Sequence, residues 1–315
     1  MPANFAPGQW GVILGGSSGF GLATARVLAD HGLNLCIVHR DRRSQLTRIE
    51  SEFEKLRGSG VELRTFNVDA LAVAKRNAVL DSLMDAVDKG RVRVLLHSIA
   101  SGHLKLLASL PEGVSRDATR KLAASLGLDA SPVQAVFDEA FAAGIDQAHS
   151  VASSPAYSEK SLLDVDDFSK TIFSMGTSLL SWVRGIFDRE LFAPDARIFG
   201  LTSEGNQVVW RGYAAVAAAK VALESLSRSI AVEYAPYGIR CNVIQAGITD
   251  TPALAAIPGN EHMKAQARMR NPFHRLTTPR DVANAIYLLS LDEAAWINGA
   301  VIRVDGGEHI SGVFE

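Results

Sequence analysis

Tyr213 and Lys220 stand seven positions apart in the run Tyr213-Ala-Ala-Val-Ala-Ala-Ala-Lys220. Two turns of helix take about seven residues, so one helix face can present a phenol and an ammonium to the same ligand. Upstream, Leu14-Gly15-Gly16-Ser17-Ser18-Gly19-Phe20-Gly21 sets glycines at 15, 19 and 21 between a predicted strand and a predicted helix. Glycines there let the backbone approach a pyrophosphate, and the helix N-terminus adds amides and a positive dipole end. Gly15, Ser17, Ser18, Gly19, Phe20 and Gly21 are therefore candidate dinucleotide-binding residues. Ser203 precedes Lys220 by 17 positions and is a further candidate donor.

Cofactor choice is read after the second strand, where an acidic residue suits a ribose 2′-hydroxyl and Arg suits a 2′-phosphate. The sequence offers His39-Arg40-Asp41-Arg42-Arg43. Arg40 favours NADPH, while Asp41 keeps NADH open. Asp69, after the third strand, is placed to meet an adenine amino group or simply to make a turn. Ser98, Ile99 and Ala100 end the fourth strand, and ligands of such sheets bind at strand carboxyl ends.

These residues need a scaffold. Short apolar runs alternate with helical patterns, which predicts an α/β fold: a Rossmann-type doubly wound parallel sheet of about seven strands. Strands are expected at 10–14, 33–38, 61–68, 92–99, 196–201, 240–244 and 300–304. Helices are expected at 19–32, 44–56, 72–87, 165–190, 213–234 and 279–289, with a helical region at 251–270 broken at Pro258-Gly259. After the fourth strand the rhythm breaks. Residues at about 105–160 read as a helical insertion in a single domain spanning 1–315. One insertion helix is expected over 115–126. Another is expected to start at Ser131-Pro132-Val133-Gln134, with Ser131 as N-cap and Gln134 closing a capping box. The stripe Val133, Val136, Phe137, Ala140 and Phe141 then calls for burial. The role of the insertion is open between lid, oligomer contact and decoration.

The bulk composition excludes some classes. Thirty-two Lys and Arg against 34 Asp and Glu give a net charge of −2, without the basic excess of a nucleic-acid binder. Cys36 and Cys241 are the two cysteines and read as buried thiols in a reducing compartment. No run of about 18 apolar residues suggests a membrane span, and residues 1–9 lack a basic start and apolar core. The expectation is a cytoplasmic protein.

With the glycine turn and the Tyr–Lys pair in place, the chain resembles the short-chain dehydrogenase/reductase superfamily. More narrowly, it resembles NADPH-dependent enoyl-[acyl-carrier-protein] reductases. Four passages carry the likeness: Leu96-His97-Ser98-Ile99-Ala100-Ser101-Gly102, the Tyr213–Lys220 spacing, Gly247-Ile248-Thr249-Asp250-Thr251-Pro252-Ala253-Leu254, and Val304-Asp305-Gly306-Gly307. In ordinary members the Tyr and Lys lie four apart, and here Val216 holds that earlier position. Met175 aligns with the Asn that the superfamily usually places before strand five. Ser203 stands where one enoyl-reductase class has a second Tyr.

The resemblance implies reduction of the 2,3 double bond of an enoyl thioester, on acyl carrier protein or CoA, within fatty acid biosynthesis. It makes Tyr213, Lys220 and Ser203 the catalytic set. It assigns Lys220 to the nicotinamide ribose, with its charge favouring ionisation of Tyr213. It assigns Gly247, Thr249 and Thr251 to the nicotinamide side and the pyrophosphate. It also implies a homodimer or homotetramer through the helices flanking strand five. Leu254, Ala255, Ala256 and Ile257 could line an acyl pocket or belong to the core. Lys264, Arg268, Arg270 and Arg275 could meet an acidic carrier or form a solvated face. A carbonyl or β-ketoacyl reductase is the alternative within the same class, and a non-catalytic NADP-binding sensor or scaffold is the alternative outside it.

Overall fold

The computed structural model describes residues 5–110, 117–158 and 160–312, with the side chains of 117 and 118 excepted. Strand β1 (Trp10–Leu14) is buried along its whole length, and its side chains alternate between two cores. Val12 and Leu14 face one, Ile13 the other, as the two-residue period of a strand requires. A strand covered on both faces reads as continuous apolar sequence, and this is why it was legible.

Six further strands join it: β2 (Asn34–His39), β3 (Leu63–Asn67), β4 (Val92–His97), β5 (Phe192–Ser203), β6 (Arg240–Ala246) and β7 (Val301–Val304). All pair in parallel in the order β3-β2-β1-β4-β5-β6-β7. One face is covered by α1 (Gly19–Asp30), α2 (Leu46–Arg57) and α11 (Pro279–Leu289). The other face is covered by α3 (Val73–Met84), α7 (Ser178–Phe187) and α8 (Ala214–Glu233). The doubly wound reading holds, and the strand order reverses beside β1, between β1 and β4. Such a switch point opens a crevice at the strand carboxyl ends.

Several boundaries differ from expectation. Strand β4 stops at His97, two residues early, which frees Ser98 and Ile99 as loop. Strand β5 starts at Phe192 rather than 196, beside a register shift against β4. The helix expected over 165–190 is α6 (Val165–Ile172) joined to α7 by a π turn at Phe173–Thr177. Such turns widen a helix by one residue and often mark functional positions.

The insertion holds α4 (Asp117–Leu126), α5 (Ala130–Ala142) and a 3-10 turn at Asp146–Ser150. The first two residues of the expected 115–126 helix lie outside the described residues. The Ser131 capping box does not form. Helix α5 starts two residues earlier than that box would place it, at Ala130, with Asp129 before it and no side-chain cap. Pro132 is tolerated in the first turn because its missing N–H has no helical acceptor there. Gln134 instead donates to Asp138 Oδ1 (3.1 Å) and to the Val151 carbonyl (3.0 Å). The apolar stripe of α5 is at most half-buried, and Val136 is 62% exposed.

Helices α9 (Pro252–Ala255) and α10 (Asn260–Arg270) follow β6, separated at Pro258-Gly259 as expected. Among the described residues no helix is long and apolar enough to cross a membrane. Cys36 and Cys241 are buried and unbridged, and burial pushes both thiols up to about 12.

Candidate active site

A cleft of about 540 Å³ runs across the carboxyl ends of the central strands. Every candidate residue named above as catalytic or cofactor-binding lines it, except Gly21. Gly21 acts through packing: a methyl group there would overlap the Gly15 carbonyl and the Gly16 backbone. Gly15 has φ +84°, and an added Cβ would overlap the Ser98 carbonyl. The β1–α1 turn and the β4 end are thus pressed together backbone to backbone. The Gly15 amide donates to Val38 and the Ser98 amide to Leu14. A side chain at either glycine would push these backbones apart, and the close-packed turn leaves the N-terminus of α1 open to the cleft, an arrangement that fits a pyrophosphate.

At the adenosine end, His39 is buried and its Nδ1 lies 2.8 Å from Asp41 Oδ2. The Asp41 amide donates to Asn67 Oδ1 (2.9 Å). Asp41 is therefore occupied with its own strand ends. Arg40 remains mostly exposed over the cleft, with Asp69 3.3 Å away. Asp69 also accepts from the Leu71 amide (3.0 Å), so its turn role is realised.

The chemistry-bearing end lies at β5 and α8. Tyr213 immediately precedes α8, and Lys220 lies two turns in. Both are buried. The Lys220 ammonium donates to the Leu201 carbonyl (2.8 Å). Burial pulls its pKa down to about 8, partly opposed by Glu224 one turn below. Burial raises the Tyr213 phenol, with Ser203 pulling the other way. The expectation that Lys220 would favour ionisation of Tyr213 is not met here: burial dominates, and the ammonium is turned to a backbone carbonyl. At neutral pH Tyr213 is a hydrogen-bond donor.

Ser203, at the end of β5, lies close enough to Tyr213 to influence it. Its Oγ is nonetheless buried without a hydrogen bond of ordinary geometry. The hydroxyl thus stands at the phenol, inside the cleft, with bonding capacity to spare. Thr249 Oγ1 donates to the Gly247 carbonyl (2.9 Å). Thr251 caps α9 through Leu254 (3.2 Å), and its methyl lies within van der Waals reach of a Cβ placed at Gly19.

Apolar side chains form the other half of the cleft. Leu104, Met175, Trp210, Val216, Leu254 and Ile257 line it, as does Ala256. Trp210 sets its ring edge-on to Tyr213, with centroids 5.5 Å apart. Ala255 is exposed and does not line the cleft. Met175 lies in the π turn, where its Sδ would meet a Cβ at Gly102.

Sequence reasoning missed two supports. Glu224 accepts from Thr202 (2.5 Å) and Asn206 (2.7 Å), holding the strand end beneath Lys220. Its signal was the i,i+4 spacing from Lys220. The second is a buried cluster: Arg270 binds both Glu204 (2.7 Å) and Glu308 (3.1 Å), and Glu308 accepts from the Ile248 amide (3.2 Å). Burial, then the nearby Glu204, raises Glu308. Nothing local in the sequence marks a contact spanning 204, 270 and 308.

The four basic residues read as a possible open face are all engaged. Lys264 pairs with Asp250 and Glu261, Arg268 with Asp146, Arg270 with Glu204 and Glu308, and Arg275 with Asp281. Among the described residues no cluster of His, Cys, Asp and Glu could hold a metal ion.

The family model described as enoyl-(acyl carrier protein) reductase matches residues 128–309, more than half of the chain. The enoyl-[acyl-carrier-protein] reductase [NADH] FabI of Aquifex aeolicus is 30% identical over 214 residues, covering 67% of this chain and 78% of that protein. The chain belongs to the enoyl-(acyl carrier protein) reductase family of short-chain dehydrogenases/reductases. A further relative of this family member is 1-cyclohexenylcarbonyl-CoA reductase of Streptomyces collinus. It is 32% identical over 178 residues, which are 56% of this chain and 63% of that protein. Other curated relatives match over shorter stretches: the chain spans 35% and 52% of the length of two of them. The solved structure of FabI from Candidatus Liberibacter asiaticus shares the fold, with TM-score 0.73 and 19% identity over 100% of both chains.

Proposed function

We propose that this protein reduces the 2,3 double bond of an enoyl thioester with NADPH, and less readily with NADH. One observation carries the reading. Tyr213 and Lys220 are both buried at one cleft that also holds the glycine turn, while the position four before Lys220 is Val216. A bound reduced nicotinamide supplies the hydride. The glycine turn, Ser98–Ala100 and the 247–251 loop would hold the dinucleotide, with Arg40 beside the adenosine ribose. Arg40 supports NADPH because it lies exposed over the cleft, while the Asp41 carboxylate is turned to His39.

Hydride addition to the β-carbon builds negative charge on the thioester oxygen, three bonds away, where a ketone's oxygen is one bond from the carbon that takes hydride. A donor for that oxygen must stand further from the hydride-accepting carbon than a ketone would require. Tyr213, one helical turn upstream of the ordinary position, is such a donor, and burial keeps its proton in place. It hydrogen-bonds the enolate oxygen as charge develops. Lys220 holds the ribose and keeps a positive charge beneath the site. A proton from solvent completes the product at the α-carbon.

The Streptomyces collinus relative is named for a CoA thioester. Exposed Phe173, Leu180, Val221 and Val232 support pairing of subunits through the helices flanking β5. A second reading, carbonyl reduction, draws on the unpartnered Ser203 hydroxyl. NADPH consumption with crotonyl-CoA and, separately, acetoacetyl-CoA tests the choice. Turnover of crotonyl-CoA alone is expected, and turnover of acetoacetyl-CoA alone would overturn the reading.

A further inference from the structure

The insertion contributes no described residue between 105 and 158 to the cleft lining. It packs instead on α10. Arg268 binds Asp146 through two bonds, Nε to Oδ2 (2.6 Å) and Nη2 to Oδ1 (2.5 Å). His262 sets its ring between two backbone carbonyls of the insertion, His149 (3.0 Å) and Ser153 (3.1 Å). A neutral imidazole donates to one of them, an imidazolium to both. The Phe141 ring lies 4.7 Å from the same imidazole. Pro155 sits so close to Gly259 that a Cβ there would lie 2.5 Å from it, and Gly259 has φ +80°.

The insertion side of this contact is itself fixed. Asp138 on α5 accepts from the Ser153 amide (2.6 Å) and hydroxyl (2.7 Å). The first of these bonds holds its carboxyl below the usual range. Gln134 ties Val151 to the same helix (3.0 Å). A continuous chain of bonds therefore runs from α5 through residues 146–153 into α10.

The opposite side of α10 faces the cleft. Met263 lines it, and Ala267 packs with Ile248, Leu254 and Met263. Met263, Ala267 and Arg270 share one helical face, and His262 and Arg268 lie off it, as a 3.6-residue period requires. Arg270 is drawn inward to Glu204 and Glu308, while Arg268 is drawn outward to Asp146.

We infer that the insertion is a brace for the acyl-binding wall, and that Asp146 is a positioning residue acting through Arg268. The inference rests on the enoyl-thioester reading for the identity of the substrate. It explains why α5 is retained with its stripe only half-buried: the segment earns its place through polar ties to α10. A wall fixed before the substrate arrives needs no ordering on binding, so the brace acts on acyl affinity.

Asp146→Asn keeps the size of the side chain and removes the charge-assisted fork. Expected is a rise of about threefold to tenfold in KM for crotonyl-CoA, with kcat and the Kd for NADPH changed less than about twofold. Trypsin should cut within 251–270 faster than in the native protein. Arg268→Gln should raise KM alike and, having lost its own tryptic site, speed cleavage after Lys264; the double variant should be no worse than either single one, and Asp146→Glu should keep the native values. Unchanged KM together with unchanged cleavage would overturn the brace, as would a parallel loss of kcat and NADPH affinity. Were crotonyl-CoA not a substrate, the function reading would fail alone, because cleavage within 251–270 and NADPH binding still decide the brace.

Discussion

The two halves of the cleft are made of different material. The dinucleotide half is backbone: a glycine turn pressed against Ser98, amides at the start of α1, and strand ends on either side. The apolar half is side chain: Leu104, Met175, Trp210, Val216 and Ile257, brought from separate segments and closed by α10. A backbone site tolerates almost no substitution at its close approaches. A side-chain wall tolerates repacking, because volume-conserving changes in apolar contacts cost little. The first half therefore resists substitution and the second admits it.

The largest effect expected lies where the halves meet. Tyr213→Phe should lower kcat about 10²- to 10⁴-fold while the Kd for NADPH stays within about twofold, as single-turnover NADPH oxidation and fluorescence titration can show. Equal losses in both would place Tyr213 on the dinucleotide side and erase the contrast. Next comes the backbone half. Gly15→Ala forces a non-glycine residue to φ +84° against the Ser98 carbonyl. The left-handed conformation alone costs on the order of 1–3 kcal/mol, so NADPH affinity should fall about ten- to a hundredfold and the melting temperature should drop.

Lys220 gives an intermediate effect with a definite sign. Its folded pKa, about 8, lies below the ordinary lysine value of 10.5. Between these values the unfolded chain holds a proton that the folded chain has released, so this residue's contribution to stability rises with pH across that window. Activity runs the other way, since the ammonium charge is lost above about 8. kcat/KM should fall with a limb near that pH, by at most about tenfold per pH unit. In Lys220→Arg, which stays charged, the limb should be absent from whatever activity remains. The smallest effect is at the exposed rim. Arg40→Ala should weaken NADPH binding about fivefold to tenfold and leave NADH binding unchanged, which isothermal titration with both cofactors can resolve.

What was legible follows the same division. Seven strands and the glycine turn were readable because buried parallel strands are continuous apolar runs and positive φ demands glycine. Tyr213 and Lys220 were readable because one helix carries both. The π turn at 173–177 left no sequence mark, since Phe173-Ser174-Met175-Gly176-Thr177 suits an α-helix as well. The capping box at Ser131 failed because the helix begins two residues earlier, at Ala130, without a side-chain cap. Lys264, Arg268, Arg270 and Arg275 read as a run of charge, and only the fold supplies Asp250, Asp146, Glu204 and Asp281. Pairings across 66 or 122 residues are tertiary facts that local pattern does not encode.

The central claim is the place where hydride arrives relative to Tyr213. Reduction of crotonyl-CoA with NADPH carrying deuterium at C4, followed by mass spectrometry and NMR of the acyl product, tests it most directly. The account expects butyryl-CoA with deuterium on the β-carbon, formed far more slowly by Tyr213→Phe. No turnover of crotonyl-CoA, while acetoacetyl-CoA gives 3-hydroxybutyryl-CoA with deuterium on its carbinol carbon, would contradict it.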